Sequence, residues 1–498
     1  MEPLPSAGSA AAAPPTEQLA PTRTRPHVVL LASPGAGHLL PLAELAQRLV
    51  EHHGFAATFV TFTNRADPKL LSHVPASVAT AALPAVQIDD LPADAHFGLV
   101  VLELTRRSLP SLRALLRSVA PPLAALVPDF FCSAALPVAA ELGVPGYVFV
   151  PCNLTWVALM RHVLELHDGA GPGEYRDLPE PLELPGGMSL QRADLPEPYR
   201  DCNGPAYPLL VDWGRRNRGT DGFLVNTFRA MEPAAAEAFE VAAEQGSFPP
   251  VFLVGPFVRS PDSDEFPDAS SSPCLEWLDR QPAGSVVYVS FGSSGALSVE
   301  QTAEVAAGLE ASGHRFLWVV RMPSLDGRHF AMGTRYGNDD EDPLLAAWLP
   351  EGFAERTRDR GLAVAAWAPQ VRVLSHPATA AFVTHCGWNS ALESVKHGVP
   401  MVSWPMFAEQ RMNALLLEGN LGVALRARAQ EGGGVVTGEE LAAAVKELME
   451  GEKGRAVRAR ARDLQQTVER ALGAAEGSSH RALEEVGAKW KAVLGRER

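Results

Sequence analysis

HVVLLASPGAGHLLP, residues 27–41, passes from an apolar β-rich run through a turn of small residues into a helix-forming stretch. Strand, glycine turn and helix in that order open a dinucleotide-binding unit, where G-x-G-x-x-G lets the backbone approach a pyrophosphate at the helix N-terminus. Gly35 and Gly37 fit the first two glycines, but Leu40 occupies the third and His38 sits on the turn. The second half of the chain carries a similar unit, SVVYVSFGSSGA at 285–296. Between and around the two, short β-rich runs at 57–63, 146–150, 222–227, 315–321 and 380–385 alternate with helical patterns such as LAELAQRLVEHH and EQTAEVAAGLEASG. That alternation predicts parallel sheets with crossover helices, an α/β protein with two Rossmann-like domains.

Bulk properties agree with two domains and narrow the partners. The 498 residues are 46% hydrophobic, enough for two large cores. Lys and Arg number 43 against 58 Asp and Glu, a net charge of −15 with no long basic run, which argues against nucleic acid and against an anionic membrane surface. A neutral or weakly charged small molecule is the easier ligand. The cysteines at 132, 152, 202, 274 and 386 are scattered, odd in number and without C-x-x-C, so neither a disulfide framework nor a zinc site is indicated, as expected for a reduced cytoplasmic protein.

Composition also divides the chain. Residues 1–25, rich in Ala and Pro, lack the charged and apolar regions of a secretory signal and read as a disordered leader; Glu2, Glu17 and the few serines count against a plastid transit peptide. Residues 26–252 form the N-terminal domain. The Pro, Ser and Asp clusters of 251–282 mark the seam, with the linker placed at 253–275. A second domain follows at 276–472, interrupted by an irregular insert at 322–343, and residues 473–498 are expected to form a helix that packs back on the N-terminal domain. No run of about 20 apolar residues is present, so no membrane span is expected.

The densest chemistry lies between Trp367 and Gln410. There AAFVT reads as strand, HCGWNS as a tight turn and SALESVKHG as a helix ended by Gly398. Backbone N–H groups and the helix dipole bind phosphate at such a junction, and His385, Asn389 and Ser390 add donors. Glu393, one turn on, can accept from the two hydroxyls of a ribose, and Trp367, at the end of another strand, can stack on a planar base. Each residue also has a plainer reading. Ser390 to Glu393 is a capping box, Trp367 and Trp388 are possible core aromatics, His385 a satisfied core histidine, and Glu409-Gln410 a helix start. Their joint order favours a nucleotide site.

This 367–410 stretch, with W-x-P-Q, H-C-G-W-N-S-x-x-E and a closing E-Q, resembles the signature box of plant UDP-sugar-dependent glycosyltransferases of small molecules. SPGAGHLLP, GFLVNTF, VGP, SVVYVSFGS and FLWVVR extend the resemblance over most of the chain from about residue 26. Ala380 and Ala381 depart from the glycines usual before the box's phenylalanine. The resemblance implies a GT-B fold, two Rossmann-like domains facing across a cleft. It implies that Trp367 stacks on uracil beside Gln370, that His385, Asn389, Ser390 and Ser293 hold the diphosphate, and that Glu393 takes the ribose. Trp388, Glu409 and Gln410 then face the sugar hydroxyls, while PCNLT at 151–155, with Asn153 and Thr155, stands where relatives often carry Ser and Thr near the sugar.

With the nucleotide in the second domain, the first domain's loop is free for the other substrate. A phenol or alcohol is mostly protonated at neutral pH, and an imidazole such as His38 is a suitable base if a partner orients it. Asp129, after the strand-like run ALVP, stands where the family has that partner; alone, it reads as a helix N-cap, and His38 alone as a packed turn residue. The implied reaction is an inverting transfer of glucose from UDP-glucose to a small hydrophobic phenolic acceptor, by a monomer, without a cofactor and without a metal, since no D-x-D element is suitably placed. SPGAGHLLPLAELAQRLV and DPLLAAWLPEGFAERT point within the family to the hydroquinone and phenylpropanoid glucosyltransferase type. Competing expectations are another acceptor class (flavonoid, terpenoid, or an N- or S-nucleophile), a non-catalytic nucleotide-binding protein, and an oxidoreductase. The oxidoreductase is disfavoured by Leu40 and by the lack of an acidic residue closing ATFVTFTN.

Overall fold

The computed structural model describes residues 25–65, 67–92, 95–119, 123–171, 173–261, 272–324, 345, 347–365, 367–427, 434–473 and 476–496. The leader through residue 24, residues 262–271 of the linker and residues 325–343 of the insert lie outside the described residues.

In the N-terminal half, β1 (His27–Leu31), β2 (Ala56–Phe62), β3 (Ala79–Leu83) and β4 (Leu123–Pro128) form a parallel sheet in the order β3-β2-β1-β4. Single parallel bridges, Leu126 to Gly146 and Asp129 to Phe149, pass the pairing on to β5 (Tyr147–Val150). Beyond a small antiparallel hairpin of β6 (Leu182–Glu183) and β7 (Ser189–Leu190), β8 (Gly222–Val225) and β9 (Val251–Leu253) complete the row as β5-β8-β9. Apart from the largely exposed edge strand β3, the strands of this parallel row are mostly buried apolar runs, because helices cover both faces of a parallel sheet and alternation would leave polar groups in the core. The helix Ala36–Glu51 buries Leu39, Leu42, Leu45, Ala46 and Leu49, a stripe at helical spacing. It starts after Gly35, whose φ of 102° an L side chain would resist.

The C-terminal half contains β10 (Val286–Ser290), β11 (Arg315–Val320), β12 (Gly361–Ala365), β13 (Thr379–Thr384), β14 (Met401–Ser403) and β15 (Ala424–Arg426). All pair in parallel in the order β12-β11-β10-β13-β14-β15. Renumbered from β10 this is 3-2-1-4-5-6, the doubly wound order whose switch point lies between the first and fourth strands, here β10 and β13. Two Rossmann-like domains are therefore present.

The seam differs from the linker assignment in one respect. Val251–Leu253 is strand, and Val254, Phe257 and Val258 are buried, so the stretch assigned to the linker from 253 begins inside the first domain's core. The polar clusters that marked it begin only at Ser260, after the apolar VFLVGPFV. At the other end, the helix Ser478–Arg496 returns to the first domain. Its Trp490 is fully buried, edge-on to Phe55 and Tyr147 at centroid distances of 5.7 and 5.4 Å, and Lys491 Nζ donates to the His53 carbonyl at 2.9 Å. Among the described residues no helix is long and apolar enough to cross a membrane.

Candidate active site

Two neighbouring strand ends bring the first pair together. β1 and β4 are adjacent, and Asp129 N–H donates to the Leu31 carbonyl at 2.8 Å, so the residues following both strands emerge side by side. His38 lies in the first turn of the helix Ala36–Glu51, and its Nδ1 is 2.9 Å from Asp129 Oδ2 across 91 residues of sequence. The carboxylate is fully buried, and its other oxygen accepts from Phe131 N–H at 3.1 Å and from the Ser33 hydroxyl. The Phe131 contact also caps the short helix Phe130–Ala135, so Asp129 performs its plainer N-cap role and the orienting role at once.

A buried anion is tolerable only with such donors around it. With Nδ1 spent on Asp129, Nε2 is the imidazole atom left for proton transfer. Burial pushes the His38 pKa down, but the charge and hydrogen bond of Asp129, aided by Glu409, outweigh it, and the net direction is up. The ring keeps about 20% of its surface open and lies 5.2 Å from Phe131, 5.8 Å from Phe130 and 6.2 Å from Phe97, an apolar aromatic wall.

Across the cleft, β13 ends in the turn His385-Cys386-Gly387 and the helix Trp388–Lys396 begins. Cys386 holds a left-handed φ of 64°, a conformation that costs a side-chain-bearing residue about 1–2 kcal/mol, and Asn413 Nδ2 grips its carbonyl at 2.9 Å. His385 is wedged between two glycines: a Cβ on Gly387 or Gly292 would stand 2.3 or 2.5 Å from its Nε2. Burial drives its pKa down to about 4, which keeps it a neutral donor, and its Nδ1 has no partner among the described residues. Ser293 follows Gly292, which packs on His385, in the turn after β10.

The capping-box reading of Ser390 and Glu393 does not hold, because the helix begins at Trp388 with Gly387 as its N-cap. Instead Gln370 Nε2 donates to Ser390 Oγ at 2.9 Å and to Glu393 Oε2 at 2.6 Å, while its Oε1 accepts from Tyr288 at 3.3 Å. One amide thereby fixes the serine and the carboxylate on the same helix face. Trp367 is half-buried, two residues beyond β12.

Where the domains meet, sequence reading and structure diverge most. The indole N–H of Trp388, expected to face the sugar, donates to the Asn226 carbonyl of the first domain at 2.7 Å, so this side chain is an interdomain contact. Asn389 Nδ2 donates to the Gly37 carbonyl at 3.0 Å. That carbonyl is free because Pro41, four residues on, has no N–H to return to it. Pro41 thus opens an acceptor beside His38, and Asn389 at the start of the helix Trp388–Lys396 in the other domain fills it.

Glu409 and Gln410 stand at the start of the helix Gln410–Leu415, and Gln410 Oε1 accepts from Met406 and Phe407 N–H at 2.9 and 3.1 Å. Its amide nitrogen is the donor end left for a ligand. Burial raises the Glu409 pKa against the opposing pull of a backbone hydrogen bond and His38.

Several residues of this junction make long-range contacts that their local sequence does not signal. Asn153 caps the helix Leu154–Leu166 and reaches Asn413 at 2.7 Å, and Thr155 with Leu154 binds the buried Glu232 at 2.7–3.0 Å, so both polar residues of PCNLT serve the fold. Asn226 lies within GFLVNTF, and its Oδ1 accepts from Phe257 N–H at 2.7 Å; only the motif, not its role, was visible in advance. Among the described residues no cluster of three or more His, Cys, Asp or Glu side chains is placed to hold a metal.

Comparison with known proteins places this geometry in a family. The profile of the UDP-glucoronosyl and UDP-glucosyl transferases matches residues 266–459. A hydroquinone glucosyltransferase of Rauvolfia serpentina is 44% identical over 472 residues, 94% of this chain and 98% of that one. Among solved structures, Phytolacca americana UGT2 with UDP-2fluoro-glucose and pterostilbene superposes with a TM-score of 0.81 at 40% identity, covering 94% of this chain and 99% of its own. A UDP-glucosyltransferase from Polygonum tinctorium capable of glucosylating indoxyl, in complex with 3,4-dichloroaniline, gives 0.83 at 39% identity over 94% of this chain and all of its own. With two doubly wound domains, the first carrying the His38–Asp129 pair, and relatives aligned over nearly the whole chain, this protein belongs to the plant UDP-glycosyltransferases and is a glycosyltransferase enzyme of GT-B fold.

Proposed function

We propose that the chain is an inverting O-glucosyltransferase that moves glucose from UDP-glucose to a hydroxyl of a small phenolic or phenylpropanoid acceptor, giving a β-glucoside. The observation that carries this reading is the His38–Asp129 pair, oriented at 2.9 Å with aromatic rings around the imidazole and Glu409 of the other domain near enough to act on its charge. An aryl acceptor lies against Phe97, Phe130 and Phe131 and presents its hydroxyl to His38 Nε2. As its oxygen attacks the anomeric carbon, the proton passes to Nε2, the bond from that carbon to the diphosphate breaks, and UDP departs with the electron pair. Asp129 holds the imidazolium formed. Attack from the face opposite the leaving group inverts the α-linked donor.

On the donor side, Trp367 stacks on uracil beside Gln370, and Glu393 accepts from the ribose hydroxyls. The diphosphate lies at the N-terminus of the helix Trp388–Lys396 with Ser293, His385, Asn389 and Ser390, and Glu409 and Gln410 meet the sugar. The neutral, unpartnered His385 supports this placement. The hydroquinone glucosyltransferase relative supports the acceptor class. The test is turnover of a phenol panel headed by hydroquinone with UDP-glucose, with the anomeric configuration of the product read by proton NMR. A β-glucoside is the expected product; an α-glucoside, or no phenol turned over, overturns the reading.

A further inference from the structure

The sugar-facing pair Glu409-Gln410 is preceded by Ala408, which carries a left-handed φ of 53°. Such a conformation in a residue with a side chain persists only where its surroundings enforce it. The two preceding N–H groups, of Met406 and Phe407, are held from within the same domain by Gln410 Oε1. The Ala408 N–H is held from the other domain, by Glu197 Oε2 at 3.1 Å across 211 residues of sequence.

Glu197 opens the short helix Glu197–Tyr199, whose last residue, Tyr199, is buried 5.9 Å from the Trp156 ring. Its second oxygen, Oε1, lies 3.7 Å from Arg200 Nη2, and that guanidinium is itself tied to the Leu195 and Ala193 carbonyls at 2.7 and 3.2 Å. One carboxylate oxygen thus lies beside a guanidinium of its own domain and the other reaches across the cleft.

We propose that Glu197 is a positioning residue for the donor sugar, a carboxylate of the acceptor-side domain that holds the strained Ala408 turn and, through it, Glu409 and Gln410. The assignment rests on the reading that this pair meets the sugar. It makes donor-sugar recognition depend on the two domains standing in this relation, because the sugar loop is completed by a residue from the opposite side. UDP alone does not extend to that loop and is indifferent to Glu197.

Steady-state kinetics on the full chain test this with Glu197→Ala, Glu197→Gln and Gln410→Ala, reading KM for UDP-glucose, kcat, the inhibition constant of UDP, and the preference for UDP-glucose over UDP-galactose. Melting temperatures confirm that each variant is folded. Loss of one charge-assisted hydrogen bond gives Glu197→Ala a KM for UDP-glucose raised roughly 5- to 20-fold with a weakened glucose preference. The UDP constant and kcat stay close to wild type, and Glu197→Gln, which keeps an acceptor oxygen, recovers most of the loss. If Gln410→Ala alters sugar preference while Glu197→Ala leaves KM unchanged, or if UDP binding weakens as much as UDP-glucose binding, or if Glu197→Gln recovers nothing, the positioning role is overturned. If neither Gln410→Ala nor Glu197→Ala alters any donor-sugar readout, the failure lies in the assignment of Glu409-Gln410 to the sugar.

Discussion

At the scale of single residues, His38 is pulled two ways. Burial favours its neutral form, while the Asp129 carboxylate 2.9 Å away and the charge of Glu409 favour the imidazolium, and the latter prevail. The protonated form therefore persists to a pH above the ordinary histidine value, and kcat/KM for a weakly acidic phenol falls as pH drops through that raised pKa. The pair's contribution to stability has the opposite trend: it is complete below the unfolded pKa and is lost as pH rises through the folded one. Asp129→Asn removes the leading upward influence, so the acid limb of the rate profile moves to lower pH even as the maximum rate falls; an unmoved limb shows that another group governs it. His38→Ala is expected to slow transfer to a phenol of high pKa by roughly 10²- to 10⁴-fold and to slow it less for a phenol that ionises unaided. UDP affinity, measured by calorimetry, stays near wild type. Full turnover of the high-pKa phenol by His38→Ala would sink the base assignment.

At the scale of elements, the donor side is a matter of turns that bring rings and helix ends close. Gly292 follows β10 with φ of 79°, and a methyl group there would stand 2.5 Å from His385 Nε2. Gly292→Ala adds a left-handed side chain, about 1–2 kcal/mol, and forces the imidazole out of its slot. The expected result is a UDP affinity lowered at least tenfold with the first domain's packing untouched, so titration with UDP should reveal more damage than thermal unfolding does. Equal UDP affinity would place the diphosphate away from His385. Gln370 offers a gentler probe, since from the first position of the helix Gln370–Ser375 it holds Ser390 and Glu393. Gln370→Ala frees both side chains and is expected to weaken UDP by about tenfold or less, and a variant with unchanged affinity would separate this network from the ribose.

For the whole molecule, the chain's last helix closes the structure by returning to the domain where the chain began. Trp490 is its anchor, fully buried against Phe55 and Tyr147. Its Nε1 has no partner among the described residues, so the indole nitrogen contributes volume at the cost of an unmet donor. Trp490→Ala is expected to cost about 3–5 kcal/mol and to lower the melting temperature clearly. Trp490→Phe keeps an aromatic edge and removes the unmet N–H, so its melting temperature should stay near wild type. A Phe variant as unstable as the Ala variant would mean that the nitrogen, not the ring, is what the site holds.

What the sequence determined by itself was whatever fits within a strand, a turn and a helix. Apolar β-rich runs alternating with helically spaced stretches marked β1, β2, β4, β5, β8, β10, β11 and β13, small-residue turns after β1 and β10 marked the doubly wound units, and the order of residues from Trp367 to Gln410 marked the expected nucleotide side, because each signal is contained in one contiguous stretch. The strand at 251–253 was missed for the same reason, its apolar residues being read together with the polar run that follows them. Only the tertiary structure decided how the two halves meet. Asn389 to Gly37, Asn153 to Asn413, Glu197 to Ala408 and Trp388 to Asn226 join residues 352, 260, 211 and 162 positions apart. No propensity or period encodes such pairs, since each side chain's neighbourhood carries the same local pattern whether or not the partner arrives; they exist because packing of two separately folded sheets sets one domain's turns against the other's.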